Sequence, residues 1–246
     1  MAHIAVEPDI SLSNPTLVEG LPGVGLVGKI AADHLVETLD MTYYGAVHCD
    51  GLPRVAVYHG DSSELKPPVR LYADEERDLL VLQSDVPVSP QNATDFASCI
   101  TGWLTDNDVT PLFLSGLPTE KDDDVPAVYG IATGDGDALL DEAGIVPPVE
   151  SGLVSGPTGA LLYEAGRHEL TGVGLIVEAD AQFPDPEAAR AILENGVKPL
   201  VDVEVNTEEL VDQAEDIREA RERLAQRMQQ AEEGESTQAQ PLRMFQ

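Results

Sequence analysis

Three glycines, Gly23, Gly25 and Gly28, spell G-x-G-x-x-G inside the run GLPGVGLVGKIAADHL, from Gly20 to Leu35. Glycines at this spacing permit a tight strand-to-helix turn, with backbone amides near enough to cradle a pyrophosphate at the helix N-terminus. Asp50, 22 residues after Gly28, stands where a dinucleotide-binding fold places its ribose-binding acid. Other residues speak against a cofactor. Pro22 directly precedes the turn, Glu19 interrupts the strand before it, and Val24, Leu26 and Val27 fill it with apolar side chains. Glycines so spaced also serve close helix–sheet packing with no ligand at all. The turn is therefore either a nucleotide site or a structural junction.

Other chemistry is thinner. There is no G-x-S-x-G nucleophile elbow. Ser155-Gly156-Pro157-Thr158-Gly159 would offer backbone amides to an anion, or simply bend a loop. His3, His34, His48, His59 and His168 show no metal-ligand spacing, and His34 falls in the middle of a helical stretch. Cys49 and Cys99 have no C-x-x-C spacing and indicate neither a zinc site nor a disulfide scaffold. Asp122, Asp123 and Asp124 read as a solvated loop, and Asp185 as a helix start. No metal, no cofactor and no catalytic residue is expected.

The elements that would carry these residues alternate in type. Strands are expected at TLVEGL, TYYGAVHC and RVAVYHG, then a hairpin of VRLYA and LLVLQSD around DEERD. Further strands are expected at Pro111–Leu114, VYGIAT and GVGLIVEA. Helical patterns cover about Lys29–Leu39, Ser89–Leu104, Asp137–Ala143, GPTGALLYEAG and DPEAARAILENGV. Such alternation predicts an α/β fold of three layers, a mainly parallel sheet with helices on both faces.

Forty-five acids against 14 lysines and arginines give a net charge of −31, spread along the whole length of 246 residues. Basic patches of useful size are absent, which excludes nucleic acid as a partner. Evenly spread carboxylates suit a salt-in cytoplasm, where molar salt cuts the Debye length to roughly 3 Å and screens self-repulsion. No stretch approaches a membrane span, and the N-terminus lacks a secretory pattern, so a cytoplasmic location is expected.

Near Asn206 the composition changes. Leu210, Ala214, Ile217, Arg221, Leu224, Met228 and Ala231 recur at heptad spacing, and Leu210, Ile217, Leu224 and Met228 are candidate oligomerisation positions. A polar stretch follows, ending in Pro241-Leu242-Arg243-Met244-Phe245-Gln246. The expected organisation is a domain over 1–205, a C-terminal amphipathic helix over 206–233 and a flexible tail over 234–246.

GLPGVGLVGKIAADHL, then SGPTGALL (Ser155–Leu162), then EADAQFPDPEAA (Glu178–Ala189), in that order, resemble the proteasome assembly chaperone 2 family over about Asn14–Leu200. The acidic bias makes a halophilic archaeal member the natural reading. The resemblance implies a nucleoside-phosphorylase-like α/β domain that works without catalysis, forms homo-oligomers and binds the α-subunits of the proteasome core particle. It further implies a partner-binding tail of a hydrophobic residue, a tyrosine and a final residue. Here Met244, Phe245 and Gln246 occupy those places, with Phe245 departing from tyrosine. The rival reading is a nucleotide- or dinucleotide-binding enzyme using Gly23, Gly25 and Gly28.

Overall fold

The computed structural model describes residues 3–6, 10–58, 63–119 and 125–212. Its sheet has eight strands in the order β1-β3-β6-β7-β2-β8-β10-β9. These are β1 (His3–Val6), β2 (Thr16–Gly20), β3 (Thr42–His48), β6 (Val69–Asp74), β7 (Leu79–Ser84), β8 (Thr110–Pro118), β9 (Val128–Thr133) and β10 (Gly172–Ala179). At the centre β7, β2, β8 and β10 run parallel. Antiparallel strands extend the sheet on both sides, with β6, β3 and β1 beyond β7 and β9 beyond β10.

The central strands are buried on both faces, and residue alternation divides their side chains between two cores. Val18, Val81, Leu112 and Leu114 point to one face, under α1 (Val27–Thr38) and α5 (Pro186–Ile192). Leu17, Leu80, Leu82 and Phe113 point to the other, under α2 (Ala93–Asp106) and α4 (Gly156–Arg167). Three layers result, as the alternating pattern predicts. A shorter α3 (Gly136–Ala143) packs beside β9, and a π-helical turn (Leu193–Val197) leads from α5 into α6 (Lys198–Val201).

Three sequence expectations change. The described residues of RVAVYHG contribute no strand to the main sheet. Only Val57–Tyr58 (β4) is extended there, pairing with Leu65–Lys66 (β5) in a separate two-stranded ribbon. His3–Val6 does join the sheet, at its edge beside β3. Cys49 and Cys99 are bonded to each other, with Cα atoms 5.9 Å apart. Fifty residues separate them in sequence, so no local spacing announced the pair. The end of β3 and the middle of α2 meet only because α2 folds back over that flank of the sheet.

A buried polar network ties α1 to the β6–β7 hairpin. The Arg70 side chain is 1% exposed and its guanidinium bonds to Asp85, the Pro67 carbonyl and the Tyr72 hydroxyl. Lys29 on α1 bridges Asp85 at 3.2 Å and Asp33 at 2.9 Å, and Gln83 donates to Asp33 at 2.7 Å. Burial alone would raise the Asp85 carboxyl. The hydrogen bond and charge of Arg70, with the Lys29 ammonium, outweigh it and hold Asp85 below the usual range.

His34 is buried on α1, and its Nε2 meets the Asn206 carbonyl at 2.6 Å. That contact fixes the chain before it turns helical again at 208, where the Asn206 side chain accepts from the Glu208 amide at 3.0 Å. Leu210 follows, 1% exposed, within the α1–α5 core of its own chain.

Candidate functional site

The three segments that carry the family resemblance meet at one place. A cavity of about 890 Å3 lies at the carboxyl ends of β2, β8 and β10. Gly23, Val24 and Gly28 line it from the first segment, Ser155–Thr158 from the second and Glu178 from the third. The chain leaves β2 through α1 on one face and reaches β10 through α4 on the other. The crevice beyond strands whose connections part in this way is where open α/β sheets place ligands.

Glu19 holds the walls together. Alternation along β2 puts Leu17 and Glu19 on the α2–α4 face, so the carboxylate lies beneath the N-terminus of α4. It is fully buried. Its Oε1 accepts from the Leu21 amide and the Thr158 hydroxyl, both at 3.1 Å, and its Oε2 from the Leu114 amide at 3.1 Å. One side chain thereby joins the glycine turn, β8 and α4. Burial pushes its pKa up to about 7, against the three hydrogen bonds, which favour the charged form. The sequence signal was present: a lone acid in a strand otherwise made of buried residues.

The glycine turn is held from its outer side. Gly25 has φ +62°, and an added Cβ would lie 3.1 Å from both the Asp180 carbonyl oxygen and the Asp185 Cβ. Its carbonyl accepts the Asp185 amide at 2.8 Å. Asp185 in turn caps α5, accepting from Ala188 N at 3.0 Å, the helix-starting role expected of it. Gly28 packs tightly, with an added Cβ 3.2 Å from the Leu21 carbonyl oxygen. Gly23 is different: its backbone is extended, and nothing lies within 4 Å of an added Cβ.

The turn's geometry differs from that of a dinucleotide cradle. The Leu26 and Val27 amides are taken up by the Gly23 and Val24 carbonyls, in a single 3-10 turn. Asp50 follows β3, which stands three positions from β2 with β6 and β7 between. At about 4.8 Å per strand, Asp50 is two strands, roughly 10 Å, beyond the strand next to β2 where a ribose-binding acid belongs. The cavity lining holds, among the described residues, no lysine, arginine or histidine, and its charged residues are Glu150 and Glu178. Among the described residues no group of three or more His, Cys, Asp or Glu stands together as a metal site would need.

Met244, Phe245 and Gln246, with Ile217, Leu224 and Met228, lie outside the described residues. His168 is exposed on the surface beside Glu164. No described helix is long and apolar enough to cross a membrane.

Fold and site together define an α/β protein with a doubly covered mixed sheet and a cavity walled by glycine-rich turns. The chain belongs to the PAC2 family, whose model matches residues 17–225. It is 31% identical over 220 residues to an uncharacterized protein of Methanocaldococcus jannaschii, covering 88% of each chain. A shorter match, 28% over 116 residues and 44% of this chain, is to proteasome assembly chaperone 2 of Danio rerio. Among solved structures it is similar to Pyrococcus furiosus PbaA, described as an archaeal homolog of proteasome-assembly chaperone. That likeness has a TM-score of 0.77 and 27% identity, covering 96% of this chain and 97% of PbaA.

Proposed function

We propose that this chain is a proteasome assembly chaperone or core-particle-binding protein that engages the proteasome α-ring. The observation that carries this reading is membership of the PAC2 family, with likeness to PbaA along nearly the whole chain. Residues 1–205 form the body, 206–233 a helix that joins copies and 234–246 a tail. Leu210 belongs to the body's own core, so the joining seam begins at Ile217 and continues through Leu224 and Met228.

Met244 and the Phe245 ring enter a groove between α-subunits, with Gln246 at its edge. One tail binds weakly because ordering it costs entropy, and several tails on one oligomer bind through effective concentration. The protein acts in the cytoplasm and does no catalysis.

Deleting Met244–Gln246 abolishes co-purification with core particles, and undiminished capture refutes the tail mechanism. Phe245→Tyr restores a hydroxyl whose hydrogen bond contributes about 0.5–1.5 kcal/mol. Binding measured by surface plasmon resonance tightens accordingly, by roughly 2- to 12-fold.

A further inference from the structure

We propose that the cavity over Glu19 is a binding site for a small organic molecule without negative charge, one that presents an apolar face to the β9–β10 side and hydroxyl or amide groups to the α4 side. Its volume, about 890 Å3, falls within the range of small-molecule sites, roughly 300–1,000 Å3. Tyr129, Ile131 and Ile176 line the β9–β10 side, with Ser115 on β8 beside Ile176, and Ser155 and Thr158 line the α4 side, the Thr158 hydroxyl donating to Glu19. Such a site, apolar with a few convergent polar groups, is what a ligand of this kind needs.

The charge pattern sets the class. Glu150 and Glu178 line the cavity with no base beside them among the described residues, and the chain as a whole carries −31. A phosphate or carboxylate ligand would meet the like charges of Glu150 and Glu178, in a cleft that concentrates the field.

The rim points the same way. Val149 and Leu153, on a segment that lines the cavity, are 88% and 86% exposed. A bound molecule with an apolar face would cover them. This site is independent of the tail, so it stands whether or not the chain engages a proteasome.

The test uses two glycines that line the cavity in open space. Neither Gly23 nor Gly152 has anything within 4 Å of an added Cβ, and neither has positive φ. Gly23→Phe and Gly152→Phe therefore place a ring at the cavity wall without straining the backbone, and an unchanged melting temperature verifies that each folds. A fragment library sorted into anionic, neutral and cationic sets is screened against the full chain by saturation-transfer NMR. Neutral and cationic fragments give saturable hits that are lost in both variants, while the anionic set gives none. Hits equally frequent among anions, hits that survive both substitutions, or no hits in any set overturn the proposal. Should one variant unfold, the other decides alone, and should both unfold, shifts of the Ser155–Thr158 amide resonances on titrating each hit locate it in place of the variants; hits that leave those resonances still overturn the proposal.

Discussion

Glu19 gives the site a dependence on pH that its hydrogen bonds alone would not. The folded chain holds its proton up to about pH 7, against 4.5 for an ordinary glutamate. The stability this contributes is complete below the unfolded value and is lost as pH rises through the window from 4.5 to about 7. Relative to Glu19→Gln, which cannot ionise, the native chain loses about 2 kcal/mol between pH 5 and 7.5, read from urea midpoints at each pH. Equal slopes for the two chains would show that Glu19 does not titrate in this window. The glycines separate just as sharply. Gly25→Ala forces a side chain into left-handed backbone against Asp180 and Asp185 and costs about 1–3 kcal/mol. Gly23→Ala, in extended backbone and open space, costs far less, and thermal unfolding of the pair measures the difference.

At the scale of elements, two links hold the hairpin flank to the body. The Cys49–Cys99 bond joins the end of β3 to α2 and closes a loop of 50 residues. Chain-entropy reasoning gives such a closure about 4 kcal/mol, so dithiothreitol lowers the melting temperature, and the denatured, unreduced protein shows no free thiol with Ellman's reagent. The second link is Asp85, set between buried Arg70 and Lys29. Asp85→Ala leaves the Arg70 guanidinium buried without its carboxylate and costs about 3 kcal/mol by denaturant unfolding. A cost near that of an exposed pair, below about 1 kcal/mol, would mean that water reaches Arg70. The hairpin itself was legible, since VRLYA and LLVLQSD are apolar runs around a polar turn. Its charge network was not, because Lys29, Arg70 and Asp85 come from separate stretches of sequence.

For the whole molecule the dominant quantity is charge. At −31, the compact chain repels itself wherever salt does not intervene. The Debye length falls from about 10 Å at 0.1 M to about 3 Å at 1 M, so the melting temperature rises steadily with KCl over that range. A flat or falling profile would separate the acidic composition from a high-salt habitat.

Composition and residue order by themselves determined the layered α/β architecture, the helices from α1 to α5, the family and the acidic surface. Each of these follows from short-range periodicity or from totals, which survive without knowledge of contacts. Tertiary structure alone decided what the motifs are for. The glycine turn, Ser155–Thr158 and Glu178 lie up to 155 residues apart, yet strand order places them around one cavity, with Glu19 bonded beneath it. The same strand order sets β6 and β7 between Asp50 and the turn, and brings Cys49 to Cys99. Which strands become neighbours depends on long-range pairing and helix packing, and no local spacing encodes that.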